Sequence, residues 1–258
     1  MPNHIHNILT FEGEQKEIDR LLTFIQYEDT DDEEATGRGT IDFNKIIPRA
    51  KELTEMEESS NKSDGMALVI HFSNPRNKQV NERVKKMSAS DFKYYVALYK
   101  SEKIFYNVKT TLTPAEIKRM TKYRSLDELI SLGLKALENL KKYGATSWYH
   151  WSCDNWGTKW NSYDNWSDGN LITFSTAWSA PHPVIEKLAE MFPSIRITHK
   201  WADEDIGSNC GEFHYVNGMC VDGFTDRQMS EEDAVKYAKE VWGYDDSDFE
   251  DEPEDSED

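Results

Sequence analysis

The fold is decided by residues 165–201, which read NWSDGNLITFSTAWSAPHPVIEKLAEMFPSIRITHKW. A turn rich in Asn and Gly precedes the β-branched run 171–177, which predicts a hairpin with 159–164 as its first strand. The PHP sequence then opens an amphipathic helix that a later proline ends. The alternating segment 194–201 predicts a further strand. This stretch therefore supplies strand, strand, helix and strand in that order.

The opening of the chain adds another strand and another helix. Residues 8–11 predict a strand, and residues 14–26 predict an amphipathic helix because apolar side chains recur at i, i+3, i+4 and i+7. Together with 165–201 this is the element order of the ferredoxin-like split βαβ fold. A hairpin at 213–221 and a helix capped by Ser230 follow. We therefore predict an α+β protein with a ferredoxin-like sheet, a C-terminal hairpin and a C-terminal helix.

A mainly helical insertion interrupts this order. Capping-box patterns begin helices at Thr113 and Ser125, and Gly144 stands where a left-handed helix cap is expected. The apolar run 66–72 is either a strand or the start of a buried helix, since periodicity does not distinguish the two over so short a run. We predict a discontinuous ferredoxin-like domain formed by residues 1–50 and 146–244. Residues 51–145 are the mainly helical insertion, and residues 245–258 are a disordered acidic tail.

The negative charge is concentrated in two short runs. The chain has 30 Lys and Arg against 48 Asp and Glu, a formal charge of -18. Ten of the acids lie in 245–258 and six in 28–34, so the rest of the chain carries only -2. Such runs are usually solvated tails and loops; the alternative is a phosphate-mimicking or partner-binding role. The total charge argues against non-specific binding to nucleic acid or anionic lipid, but the near-neutral body weakens that argument.

The cysteine content and the hydropathy indicate a compartment. Three cysteines without a CxxC pair favour a reduced chain over a disulfide framework. The start of the chain lacks the charged and apolar regions of a signal peptide, and no apolar run approaches the roughly 20 residues of a membrane span. We expect a soluble protein in the cytoplasm of a bacterial host cell, without membrane partners.

Residues that could carry catalysis or bind a metal are scattered along the chain. Two pairs have metal-ligand side chains but no third ligand at recognisable spacing: His4 with His6, and Cys210 with His214. Phosphate-binding glycine motifs and GxSxG are absent from the sequence. An enzyme would need a pocket that joins distant residues such as Cys153, His182 and Asp203. We therefore expect no enzymatic activity, no cofactor and no metal.

Three short motifs carry a family resemblance. They are NWGTKWN at 155–161, FSTAW at 174–178 and PHP at 181–183. Together with FNKIIP at 43–48, they resemble the signature of the YubB-like family, which is spread among phages and conjugative plasmids. The resemblance implies a ferredoxin-like domain and a phage or plasmid accessory protein.

The tryptophan-rich stretch has two interpretations. If 156–161 is a strand, Trp156, Thr158 and Trp160 share one of its faces. These aromatic rings either close a small sheet as core or form a surface that binds a peptide or stacks bases. The candidate partner-binding residues are Asn155, Trp156, Lys159, Trp160, Trp178 and His182.

Function follows from the resemblance and the acidic runs together. We expect a non-enzymatic interaction protein with a host protein as its partner, such as an inhibitor of a host nucleic-acid-processing or defence system. The alternative is single-stranded nucleic-acid binding by the Trp-rich sheet and the basic residues of the inserted helices.

Overall fold

The computed structural model describes residues 2–28, 36–101 and 109–244. The chain divides into two compact units. The first, called here the ferredoxin-like unit, comprises residues 1–48 and 152–258. The second, called the helical unit, comprises residues 49–151.

One antiparallel sheet organises the ferredoxin-like unit. Its strands in the described residues are β1 His4–Glu12, β2 Tyr163–Asp168, β3 Leu171–Ala177, β4 Arg196–Asp203, β5 Gly211–Val216 and β6 Met219–Thr225. Their order across the sheet is β2-β3-β1-β4-β5-β6. The first four strands thus have the ferredoxin-like arrangement, and β5 and β6 extend the sheet beyond β4.

The described residues form ten α-helices. They are α1 Gln15–Ile25, α2 Phe43–Ile46, α3 Lys51–Thr54, α4 Ser60–Ser73, α5 Ala89–Ser101, α6 Pro114–Met120, α7 Leu126–Tyr143, α8 Trp148–Asn155, α9 His182–Met191 and α10 Glu231–Trp242. Leaving out α2 to α8, the order is β1, α1, β2, β3, α9, β4. The predicted α+β class, with a ferredoxin-like sheet interrupted by helices, is confirmed.

The turns of the two hairpins follow from their residue types. Asn217 and Gly218, between β5 and β6, both have positive φ, at 53° and 77°. This is the type I′ pattern that matches the twist of the strands. Gly169, between β2 and β3, has a φ of 58°. The loop between these strands has only two residues, and β2 is Tyr163–Asp168. The predicted first strand 159–164 is therefore wrong at both ends, since it starts and stops four residues too early.

Residues 156–162 are not part of a strand, so the strand interpretation of 156–161 is wrong. Asn155 is the last residue of α8, and the residues that follow are irregular up to Tyr163. Side-chain hydrogen bonds, described below, take the place of ladder bonds here. The apolar run 66–72 lies in the second half of α4 rather than at the start of a helix, and all of its residues except Ala67 are buried. It is therefore a buried helix, which is why it lacks a polar face.

The two faces of the sheet are packed differently. On β1, Ile5, Leu9 and Phe11 alternate to one face and are buried. Helix α9 packs on this face through His182, whose ring lies 4.5 Å from that of Trp201 on β4. On the opposite face, α10 packs against the sheet. The cluster there contains Ile8, Ala202, Cys210, Ala234, Ala238 and Val241.

In the helical unit, α4 and α7 approach each other closely. A Cβ atom at Gly133 would lie only 2.6 Å from the backbone nitrogen of Met66. Only hydrogen atoms at Gly65 and Gly133 therefore allow this backbone contact. The helices enclose an apolar cluster that includes Phe92, Tyr95, Val96 and Tyr99, four residues that the sequence pattern of α5 places on one face.

A buried lysine cross-links the helical unit. Lys62 on α4 is fully buried, and its Nζ donates to both carboxylate oxygens of Glu58, at 2.9 and 2.8 Å. The same Nζ donates to Thr146 Oγ1 at 2.8 Å and to Ser147 Oγ at 3.3 Å. Ser147 in turn donates to Glu58. The ammonium group is thus fully coordinated, which is the condition for burying a charge.

Candidate functional site

The tryptophan-rich loop 156–162 is fixed by side-chain hydrogen bonds. Trp156 Nε1 donates to Ile47 O at 2.9 Å, and Thr158 Oγ1 donates to Ala177 O at 2.8 Å. Asn161 Oδ1 accepts from Phe43 N at 2.8 Å. These three hydrogen bonds fix the loop although it lacks regular secondary structure. The residues between the three bonded positions include Lys159 and Trp160, whose side chains point outward.

Lys159, Trp160 and Trp178 form the outward group, which we call the Trp-Lys-Trp cluster. The Nζ of Lys159 lies 4.6 Å from the ring centroid of Trp160 and 4.6 Å from that of Trp178. The two tryptophans are 37% and 42% exposed. A cation between two indole rings is a favourable cation–π arrangement. The cluster therefore presents two ordered aromatic rings and a positive charge to solvent.

Trp178 has a backbone conformation that is rare for a bulky residue. Its φ is 72°, in the left-handed region. Its N–H donates to Asn3 O at 2.9 Å, and its carbonyl accepts from Asn209 Nδ2 at 3.3 Å. Strained backbone persists where surrounding contacts enforce it, and it is concentrated at functional sites. A left-handed backbone costs conformational free energy at a bulky residue. Its presence at an exposed indole therefore suggests that Trp178 has a function.

Tyr163 extends the aromatic surface towards His4. Its ring meets that of Trp160 edge-on, with 6.3 Å between the centroids. The Tyr163 hydroxyl donates to Thr176 O at 3.1 Å, so His4 Nδ1, 2.8 Å away, donates to the hydroxyl oxygen. Burial, together with nearby Asp164 and Glu204, raises the pKa of Tyr163 to about 12. The phenol therefore stays neutral and the surface beside it has acidic neighbours.

The six candidate partner-binding residues are not brought together. Lys159, Trp160 and Trp178 form the surface cluster, and Asn155 is partly buried at the end of α8. Trp156 is fully buried and packs edge-on against Phe43, with 5.7 Å between the ring centroids. Its ring belongs to the core and is not offered to a partner. The shared strand face predicted for Trp156 and Trp160 does not exist, because the loop turns between them.

His182 lies in a second aromatic group, under the start of α9. Its ring is 5.5 Å from that of His199 and 5.2 Å from that of Phe213. His199 is fully buried, and its Nε2 donates to Asn7 Oδ1 at 3.1 Å, because the Asn7 amide nitrogen donates elsewhere. Sequence reasoning missed this pairing, since only an alternating strand pattern marked His199.

Both histidines of this group are held neutral. Within the described residues, His182 Nδ1 and His199 Nδ1 are buried without a hydrogen-bond partner. Burial lowers the pKa of His182 to about 4. Burial, followed by the neighbouring His182, holds the pKa of His199 well below its usual value. A proton on either Nδ1 would have no acceptor there, which disfavours the charged form.

Because His182 and His199 are held neutral, we expect the protein to lose stability in acid. Since the unfolded state takes up protons near pH 6.5 and the folded histidines do not, the free energy of unfolding falls as the pH drops from about 6.5 towards 4. The shift of His182 alone corresponds to at most about 3 kcal/mol. Urea denaturation at pH 8 and pH 5 measures it. His182→Phe should flatten the dependence; an equally steep dependence in His182→Phe would contradict the assignment.

The other candidate chemical groups lie apart. His6 packs on Trp242, and His214 Nε2 lies 3.2 Å from Glu212 Oε1. Burial, then Asp154, raises the pKa of Cys153, which makes this thiol a poor nucleophile. In residues 2–28, 36–101 and 109–244, no group of three or more His, Cys, Asp or Glu is placed to hold a metal ion.

Some sequence predictions concern residues outside the structure's description. The acidic tail 245–258 and residues 29–34 of the first acidic run are among them. Glu28, which opens that run, forms an ion pair with Lys45 at 2.6 Å. As for membranes, the helices of the described residues include none with the length and apolar character of a span.

The face of the sheet opposite α9 bears on nucleic-acid binding. Base-stacking sheets of this topology present aromatic rings from their two central strands. Here β1 and β3 place Ile8, Thr10 and Thr173 on that face, and α10 covers part of it. β1 also places His4 and His6 there, but their rings pack against those of Tyr163 and Trp242. The exposed ring on its edge strand β2 is Trp166, which is 58% exposed. The sheet face therefore lacks a central stacking platform.

The fold and the site together define an α+β protein with a ferredoxin-like domain in its C-terminal region and an ordered aromatic surface. A model of the family described as the ferredoxin-like domain in Api92-like protein matches residues 155–245. A crystal structure of protein api92 from Yersinia pseudotuberculosis is similar to this chain with a TM-score of 0.36 and 11% identity, covering 87% of this chain and 98% of that one. No curated protein matches the chain. The ferredoxin-like prediction is confirmed; the YubB-like resemblance stays a prediction.

Proposed function

We propose that this chain is a non-enzymatic interaction protein of a phage or plasmid that binds a host protein through the Trp-Lys-Trp cluster. The observation that carries the proposal is the exposed indole of Trp178, which a left-handed backbone holds against Lys159. The phage or plasmid origin rests on the motif resemblance. An inhibitor of a host nucleic-acid-processing or defence system is one form of this function.

The cluster has the properties of a protein-binding hot spot. Trp and Tyr carry much of the energy of protein interfaces when a partner desolvates their rings. The loop anchors at Trp156, Thr158 and Asn161 fix the backbone beforehand, so little conformational entropy is lost on binding. Lys159 supplies a charge that favours an acidic or carbonyl-rich site on the partner.

A protein partner fits this surface better than a nucleic acid does. Asp164 follows Tyr163, whose ring meets that of Trp160, and Glu204 N donates to the carbonyl of His4, whose ring meets that of Tyr163. Two acidic residues therefore lie beside this aromatic surface. A phosphate backbone crossing it would meet repulsion from these carboxylates. In addition, the rings that the central strand β1 places on the sheet face opposite α9, His4 and His6, are packed against Tyr163 and Trp242 and are not free to stack on bases. The nucleic-acid alternative is therefore not what this surface favours.

The test is affinity capture from a bacterial host lysate with matched tryptophan variants. We expect one host protein to be retained by wild type and by Trp166→Ala, and lost with the double variant Trp160→Ala and Trp178→Ala. With the purified partner, the double variant should weaken Kd by about 30-fold or more, the scale of one hot-spot residue. Trp166 is a matched control because it is an exposed tryptophan outside the cluster.

Three outcomes would overturn this proposal. One is that no retained protein depends on the cluster. Another is that recovery disappears after nuclease treatment, which would indicate nucleic acid as the partner. A third is that a chain ending at Tyr244 loses the partner while the double variant keeps it, which would assign binding to the acidic tail.

A further inference from the structure

The loop between α4 and α5 displays a dense group of cations. Its exposed basic residues are Arg76, Lys78, Arg83, Lys85 and Lys86. Glu82 is the one acid in residues 74–88. In the part of the chain that the structure describes, Arg83 alone among these cations forms an ion pair, with Asp127 at 3.2 Å. The loop is thus a strongly positive surface of the helical unit.

This loop is built and anchored rather than loosely extended. Its ends are joined by a hydrogen bond from Met87 N to Ser73 O at 3.0 Å. Three successive asparagines, Asn74, Asn77 and Asn81, each accept through Oδ1 from the backbone N–H two residues on, at 2.9 to 3.0 Å. Such turns fix the backbone locally. Closed loops of this kind, packed by their own side chains, are frequently functional.

Buried residues hold the loop against the helices. Val84 is buried. His71 Nε2, on α4, lies 2.8 Å from Gln79 Oε1. The His71 Nδ1 atom accepts from Leu112 N at 2.9 Å, so its Nε2 carries the proton and donates to Gln79. The cations are therefore displayed from a fixed frame, and a ligand would order only their side chains.

The whole helical unit shares the charge of this loop. Residues 49–151 contain 19 Lys and Arg against 12 Asp and Glu, a formal charge of +7. The remaining residues contain 11 bases and 36 acids. Near the loop, Arg83, Arg124 and Lys135 line a shallow hollow together with two carboxylates, those of Asp127 and Glu128. The net charge of -2 outside the two acidic runs is therefore the sum of a basic helical unit and an acidic remainder.

We propose that the loop 74–88 binds the phosphate backbone of nucleic acid. Exposed lysines and arginines mostly without carboxylate partners are the chemistry that phosphate contacts require. Several cations on one short loop suit a ligand with repeated negative charge. Residues 74–88 contain no aromatic side chain on which bases could stack, so we expect binding that depends on phosphate charge more than on base sequence. This site is distinct from the Trp-Lys-Trp cluster and does not rest on the function proposed for it.

The experiment measures fluorescence anisotropy of labelled oligonucleotides, single-stranded and duplex, against the full chain over a range of salt. The loop variant is Arg76→Gln, Lys78→Gln and Lys85→Gln together, because none of these three side chains has a structural role in the described contacts. The control is Lys16→Gln, Lys187→Gln and Lys236→Gln, which removes the same charge from exposed positions of the ferredoxin-like unit.

We expect wild type and control to bind, with affinity that falls steeply as salt rises. The loop variant should bind about tenfold more weakly or worse at low salt, and the slope of log affinity against log salt should fall by about 2 to 3. Equal weakening of the loop and control variants would overturn the proposal. So would the absence of binding at about 50 mM salt in a chain ending at Tyr244, which lacks the ten acids of residues 245–258 that could compete for the loop.

Discussion

Trp156→Ala is expected to lower the free energy of unfolding by about 3–5 kcal/mol, the usual cost of removing a buried tryptophan. The indole is fully buried, packs edge-on against Phe43 and donates to Ile47 O. Its removal leaves a large cavity and an unsatisfied carbonyl in the core. Urea denaturation followed by circular dichroism measures the loss.

The matched control for this prediction is Trp166→Ala. Trp166 is 58% exposed on the edge strand β2, so its loss should cost less than about 1 kcal/mol. Equal costs for the two variants would show that Trp156 does not belong to the core. Because Trp156 supports the loop that carries Trp160, a binding defect in Trp156→Ala would reflect lost structure and not a lost contact with a partner.

Lys62→Ala is expected to destabilise the helical unit by about 3 kcal/mol. The substitution leaves the Glu58 carboxylate, which is 25% exposed, without the ammonium group that both of its oxygens accept from. Thr146 and Ser147 lose the same donor. Denaturation by urea, with hydrogen exchange of the α4 amides as a second measurement, reports the loss.

A double substitution separates lost charge pairing from lost packing. Lys62→Met with Glu58→Leu removes both charges, and it should recover much of the stability that Lys62→Met alone loses. Additive effects of the two substitutions would contradict the assignment of this pair as a coupled unit. A cost below about 1 kcal/mol for Lys62→Ala would do the same.

The elements that the sequence predicts correctly are those set by local chemistry. Thr113 and Ser125 each form a complete capping box, and Gly144 adopts the left-handed helix cap at a φ of 75°. The stripe of α1 is buried as its spacing requires. These features depend on residues three or four positions apart, or on one residue's φ, so the sequence displays them directly.

The errors arise where distant residues decide. Residues 156–161 have the composition of a strand, yet Asn161 bonds to Phe43 N and Thr158 bonds to Ala177. These hydrogen bonds hold the loop out of the sheet. Likewise, the run 66–72 has the apolar character of a strand or a helix, and only its burial between other helices identifies it as part of α4.

By itself the sequence determined the α+β class, the element order of the ferredoxin-like sheet, the helix caps and the hairpin turns, because each rests on short-range spacing. Only the tertiary structure decided which tryptophans are core and which are surface. Trp156 is fixed by Ile47, 109 positions away, and Trp160 turns outward beside Lys159 and Trp178. In a segment without regular secondary structure, burial depends on contacts between distant segments, so composition and periodicity do not reveal it.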